Sequence, residues 1–427
     1  MRDNKIYAGL CVVLTVFMAS SFVAVVPAVA QTETVLFSFY PTDGSDPLGG
    51  LIFDSAGNLY GTTVLGGAYG YGTAFELSPA AGGGWTETVL HSFDNNGTDG
   101  YFPNSGLAFD AAGNLYGTTS NEDLGYCESV TNCGILFELS PVVGGEWAET
   151  IVSRFDGNAA GGYGPVGGVV VDAAGNLYGV TELGGSNLDC YFYTYCGMVY
   201  EFSPAAGGGW TEKILHAFSG KNEDGENPQA GLVFDTRGDL YGTTLFGGTG
   251  YGTVFELRPG VNGKWTETML HRFSSNGKDG NGPSTALTFN ASGNLYGITE
   301  AGGIFGGGTA FELTPTANGG WAESVLHNFR SNSLYGQPSG SLIADASGNL
   351  YGVTSSGGTN LKGAIYELSS NGSGSWRDQI LYSFGKGIDG IAPVGSLIFD
   401  SAGNLYGATG LGGLGHTGYG TVFEVTR

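Results

Sequence analysis

Gly57-Asn58-Leu59-Tyr60-Gly61 decides the fold, because the chain carries this stretch seven times. The other copies are residues 113–117, 175–179, 238–242 (with Asp239 in place of Asn), 293–297, 348–352 and 403–407. Their tyrosines stand at 60, 116, 178, 241, 296, 351 and 406, in steps of 56, 62, 63, 55, 55 and 55 residues. A period of that size marks one supersecondary unit per repeat, each needing its neighbours to bury an apolar face.

Outward from the pentapeptide, each unit divides into four short strands. In the first, Gly50-Leu51-Ile52-Phe53-Asp54 is strand a, and 58–63 is strand b beyond the turn Ser55-Ala56-Gly57. Strand c is Thr73-Ala74-Phe75-Glu76-Leu77, and strand d runs from Trp85 to Phe93. Aromatic and β-branched runs bounded by Gly, Pro, Asn and Asp are the strand signal. No segment has helical length and period. Four antiparallel strands, repeated radially, predict an all-β fold: a seven-bladed β-propeller. The chain ends specify how the ring closes. Residues 31–39 form a d strand with no a, b or c before it, and the last repeat stops after its c strand. The two fragments make one blade only if they meet, so residues 31–427 are expected to form a ring closed by the N-terminal strand.

The unit from Gly50 through Thr63, with Gly66-Gly67 and Gly72-Thr73-Ala74-Phe75-Glu76-Leu77, resembles the GloVer tandem repeat, a family of exported bacterial proteins with a choice of C-terminal anchors. The resemblance spans about residues 33–427. It implies export and a surface or extracellular role, and no particular activity. The chain departs from anchored members in ending at Val425-Thr426-Arg427, with no sorting tail. Strands a and b also resemble other propeller repeats of the Asp-x-x-Gly-Asn-Leu-Tyr type.

Residues 1–30 carry a different signal. Arg2 and Lys5 precede an apolar run over 8–26, and Ala28-Val29-Ala30 supplies a small-x-small cleavage pattern, as in a secretory signal peptide. The run is also long enough for an uncleaved anchor. Removing 1–30 takes Arg2, Lys5 and Asp3 from the 15 basic and 39 acidic residues, leaving 13 and 38 and a net charge of −25. Such a surface repels nucleic acid and anionic lipid. The mature chain is therefore expected to bind neither, and to be a monomer.

Most candidate chemistry sits in repeated columns. Asp54, Asp110, Asp172, Asp235, Asp345 and Asp400, with Asn290 in the fifth unit, precede the a–b turn. Asp there accepts backbone N–H bonds while Gly takes positive φ; one carboxylate per turn is too few for calcium. Strand c carries Glu76, Glu138, Glu201, Glu256, Glu312, Glu367 and Glu424, and strand d carries Glu33, Glu87, Glu149, Glu212, Glu267 and Glu323, with Asp378 in the remaining copy. A glycosidase pair would occur once, not in every blade, so these acids read as scaffold. His91, His216, His271 and His327 share a strand d column with Phe37, Ser153 and Tyr382, which reads as a packing position. His416 is unrepeated. No metal-ligand spacing, nucleophile elbow or phosphate loop is present, and no cofactor is expected.

Cys127, Cys133, Cys190 and Cys196 lie in the b–c loops of the second and third units, the two enlarged ones. An even count in an exported chain predicts disulfides, most simply Cys127–Cys133 and Cys190–Cys196. Each small ring would contribute about 2 kcal/mol by chain entropy. On a propeller the b–c and d–a connections share one face. The b–c loops vary while the a–b turns are uniform, and variable loops on a uniform scaffold are where binding resides. Candidate ligand contacts are Tyr126, Tyr191, Tyr193 and Tyr195, whose flat rings suit sugars or apolar partner surfaces. The expectation is a non-catalytic recognition module for a glycan or surface protein; the alternative is a secreted enzyme acting on polysaccharide.

Overall fold

The a–b turn is built alike in blade after blade of a computed structural model, which describes residues 31–427 except 121–132, 156–160, 186–189, 191–195, 275, 331–333, 335, 373 and 415–417. Asp54 Oδ1 accepts the N–H of Ala56 (2.8 Å) and of Asn58 (2.9 Å), while Oδ2 accepts from Asn58 Nδ2 (2.9 Å) and Tyr60 Oη (3.2 Å). Gly57 sits at φ 89°, where a Cβ would be strained. Gly61 is glycine for another reason. A Cβ there would lie 2.7 Å from Phe75 Cζ and 2.9 Å from Leu51 Cδ2. Each copy of the pentapeptide thus fixes a turn at its first Gly and admits an aromatic ring at its last.

Blade 1 consists of strands a (Ile52–Phe53), b (Leu59–Thr63), c (Thr73–Pro79) and d (Trp85–Ser92), hydrogen-bonded in that order and antiparallel throughout. Period-2 alternation puts Trp85 and Glu87 inward and leaves Thr86 and Thr88 in solvent. Five more blades repeat the order, with d strands Trp147–Arg154, Trp210–Ala217, Trp265–Arg272, Trp321–Asn328 and Trp376–Ser383. Blade 7 is assembled from both ends of the chain: Gly390–Phe399, Leu405–Gly412 and Thr421–Thr426, then Thr32–Ser38 as strand d. Glu33 pairs with Val425 and Val35 with Phe423. The ring is closed by the N-terminal strand. Among the described residues there is no α-helix, and no helix is long and apolar enough to cross a membrane.

There are seven cores, one at each blade-to-blade interface, rather than one at the centre. Between blades 1 and 2 lie Tyr60, Phe93, Leu107, Leu115 and Phe137; between blades 7 and 1 lie Tyr406, Val422, Leu51, Leu59 and Phe75. Phe39, Phe93, Phe155, Phe218, Phe273, Phe329 and Phe384 end the d strands and are all buried. Each donates its N–H to the glycine that precedes strand c of its own blade, as Phe93 does to Gly72 O at 3.0 Å. Burying one such ring contributes about 1.5–3 kcal/mol.

Candidate functional site

Strand d places a polar set on each interface near the outer rim. His91 Nε2 lies 3.0 Å from Asp99 Oδ2, in the connection to blade 2, and 3.8 Å from Glu149 Oε1 on blade 2's own d strand. His216, Asp224 and Glu267 repeat this between blades 3 and 4 (3.4 and 3.6 Å), and His271, Asp279 and Glu323 between blades 4 and 5. Tyr382 stands in for histidine between blades 6 and 7, donating to Asp389 (2.8 Å) and Glu33 (3.5 Å). Between blades 7 and 1 the column holds Phe37, and Asp43 faces Glu87 with no cation beside them among the described residues. The histidines do pack, His91 edge-on to Phe93 at 4.7 Å. They also bridge two blades, which their column-mates Phe and Tyr had concealed.

Burial dominates the electrostatics of these sets. It pushes Glu33, Glu87, Glu149 and Glu267 up to about 7, and nearby Asp389, Asp43, Asp99 and Asp224 respectively add to the rise. In each, Oε1 is buried without a hydrogen-bond partner, the situation of a carboxyl that keeps its proton. Burial alone would lower His91 and His216, but hydrogen bonds to Asp99 and Asp224 and the flanking carboxylates raise both. Three of the sets offer one ligand atom per residue within 4.8 Å of each other and could hold a cation. The same column holds Ser153, His327, Tyr382 or Phe37 at the other interfaces, so at the three sets the histidine reads as an interblade latch that shares protons with its carboxylates.

Around the axis, the first residues of the a strands enclose a channel of about 670 Å³. The strands converge until only small residues fit: a Cβ on Gly340 would stand 1.8 Å from Gly395 O, and one on Gly231 2.4 Å from Gly167 O. Hydroxyls and amides line what remains, among them Asn104, Ser105, Gln229, Thr285, Gln337 and Ser396. Glu300, held by Ser284 Oγ, is the one carboxylate lining it among the described residues. Glu300 and Ser355 follow b strands directly and the other lining residues follow d–a connections, so the mouth opens on the b–c/d–a face.

The residues expected to contact ligand on that face, Tyr126, Tyr191, Tyr193 and Tyr195, lie outside the described residues, as do Cys127, Asp189 and His416. Cys190 and Cys196 form a disulfide at the base of blade 3's b–c loop. Cys133 is also disulfide-bonded.

The opposite face is less uniform than its turns suggested. In blade 4, Arg237 and Asp239 replace the Ala and Asn of blade 1's turn, and Arg258 replaces Ser78 at the end of strand c. Arg237 Nη2 lies 2.9 Å from both Asp235 and Asp239, and Arg258 Nη2 lies 2.7 Å from Glu256. Tyr241 Oη donates to Glu256 at 2.7 Å. These groups line a cleft of about 780 Å³ between blades 4 and 5, whose far side carries Phe289, Asn290 and Trp321. The signal was present as three departures from the repeat within one unit, and a search for recurring columns passes over it.

Ring, closure and repeated interfaces define a seven-bladed β-propeller repeat protein. More particularly, the chain belongs to the Gloeobacter/Verrucomicrobia repeat family, whose model matches residues 19–195, 124–333 and 316–427. A comparison with curated proteins finds no match. Among solved structures, the chain is similar to the extracellular domain of a protein described as a one component system from B. thetaiotaomicron, with a TM-score of 0.52 and 12% identity. It is also similar to a puromycin hydrolase mutant, with a TM-score of 0.50 and 14% identity. The alignments cover 91% and 85% of this chain but only 39% and 50% of those proteins. At such identities the likeness concerns the fold.

Proposed function

We propose that the protein is an exported, non-catalytic recognition module that takes a glycan or a surface protein on the b–c/d–a face. The observation carrying this reading is the axial mouth on that face: a polar recess lined by hydroxyls and amides, with Glu300 as its single carboxylate among the described residues. Such a lining supplies donors and acceptors for hydroxyl-rich ligands. Hydrolysis by acid and base would call for a second carboxylate. Export is supported by the signal pattern of residues 1–30 and by the Cys190–Cys196 disulfide. The extracellular placement of the B. thetaiotaomicron domain agrees with it.

A glycan-array screen run beside a polysaccharide-hydrolysis panel tests the reading. Saturable binding without product release is expected. With the ligand so found, the Tyr191→Ala/Tyr193→Ala double variant should bind at least about tenfold more weakly, equivalent to about 1.4 kcal/mol. Turnover of any polysaccharide, or unchanged affinity in the double variant, would overturn the module or its placement respectively.

A further inference from the structure

The seven repeats are each other's controls, and one interblade cleft departs from the rest in several positions at once. In the other six blades the position of Arg237 is Ala or Ser (56, 112, 174, 292, 347, 402), that of Asp239 is Asn, and that of Arg258 is Ser or Thr. A fourth departure faces them across the same cleft. Asn290 is the one turn-column residue that is not Asp, and it belongs to blade 5. Counting the turn carboxylates of both walls and the strand c glutamate of the first, an unmodified cleft such as that of Asp54, Glu76 and Asp110 holds three negative charges. Here Asp235, Asp239 and Glu256 are set against Arg237 and Arg258, leaving one. The four changes together remove negative charge from one place on a strongly acidic protein.

A locally compensated ion network would explain the arginines if their donors were spent on it. They are not. Arg237 uses Nε and Nη2 on Asp235, Asp239 and Tyr241, and Arg258 uses Nε and Nη2 on Asp239 and Glu256. Among the described residues the Nη1 edges have no partner, and the two side chains are 63% and 53% exposed. The carboxylates grip each guanidinium from one side and fix its plane, which presents the opposite N–H pair to the cleft. Across the cleft stand Phe289 and Trp321 of blade 5, the indole packed 6.3 Å from the buried Tyr241 ring. Two fixed guanidinium edges beside an aromatic wall suit a flat-faced ring bearing a carboxylate.

We infer that the cleft between blades 4 and 5 is a binding site for an acidic saccharide, a hexuronate unit whose carboxylate meets Arg237 and Arg258 while its ring lies against the aromatic wall. The site is on the a–b/c–d face, opposite the one proposed for recognition above, so either can fail without the other. Titration calorimetry with oligogalacturonate, and with a neutral oligosaccharide of equal length, tests it on the full mature chain. The informative variant is R237A/D239N/R258S, which writes blade 1's residues into blade 4. In blade 1 those residues hold the turn through Asn58 to Asp54 (2.9 Å) and Ser78 to Glu76 (2.6 Å), so the variant should fold. Its affinity should drop at least about tenfold, and Asn290→Asp alone should weaken binding several-fold. No saturable binding of the oligouronate by the unaltered protein, equal affinity in the triple variant at an unchanged melting temperature, or equally tight binding of the neutral oligosaccharide would each overturn the inference.

Discussion

At the residue scale, two positions show what substitution within a column costs. Where most strand c copies carry Phe, blades 3 and 6 carry Tyr200 and Tyr366, fully buried, with hydroxyls that have no hydrogen-bond partner. Each hydroxyl is pressed toward the glycine of the facing b strand; a Cβ on Gly179 would lie 2.3 Å from Tyr200 Oη. Burying an unpaired hydroxyl costs about 1–3 kcal/mol. Tyr200→Phe and Tyr366→Phe should therefore each stabilise the ring, by about 1 kcal/mol, read as a higher denaturant midpoint at unchanged slope. A lower midpoint would mean that the hydroxyl is satisfied. The Asp54 column was legible because its partners lie within six residues and can be read from spacing. The role of His91 was not, because its partners Asp99 and Glu149 come from a loop and the next blade.

At the element scale, the seams show why the ring, but not its fastenings, could be read from the chain. Tyr60 meets Trp147 at 6.3 Å, and the contact recurs as Tyr116–Trp210, Tyr178–Trp265 and Tyr296–Trp376. Blade 7's d strand has Gln31 where the others have Trp. Arg427 takes that place: its guanidinium lies 4.3 Å from the Tyr351 ring centroid and reaches Asp345. Complementary half-repeats announced the closure itself, whereas an arginine substituting for an indole has no counterpart in the pattern. Closure by Thr32–Ser38 has a direct consequence. Deleting residues 31–40 removes the outer strand of blade 7, Phe39 from the core and Glu33 from its set with Asp389. Strand Thr421–Thr426 then becomes an open edge. The deletion variant should melt lower and associate, as read by calorimetry and light scattering; a monomer with the original melting temperature would refute this account of the seam.

At the scale of the whole molecule, the interface sets make stability depend on pH in an unusual direction. Glu33, Glu87, Glu149 and Glu267 titrate at about 7 in the folded chain, against 4.5 as free side chains, because burial disfavours their charge. Between those values the folded state holds protons that the unfolded chain has released, so stability falls as pH rises through the window. His91 and His216 act with the same sign: burial opposes their charge, yet their carboxylate partners raise them above 6.5, and the stability they add is lost as pH climbs past the folded value. His327, lowered by burial, opposes them. On the acid side, Asp54, Asp110, Asp235 and Asp345 are lowered overall, since turn hydrogen bonds outweigh the burial that would raise them. Their contribution disappears as pH falls below 3.8. The melting temperature should accordingly peak in mildly acid solution, between about pH 4 and 6, and decline toward pH 8. Proteins stabilised by paired carboxylates instead lose stability only below about pH 5, where those groups take up protons. Scanning calorimetry of dilute protein in steps from pH 3.5 to 8.5 measures the profile, and Glu87→Gln, which removes a carboxyl facing Asp43 with no cation between them, should flatten its alkaline limb. A melting temperature rising from pH 5 to 8 would show that these four interfaces carry their glutamates ionised.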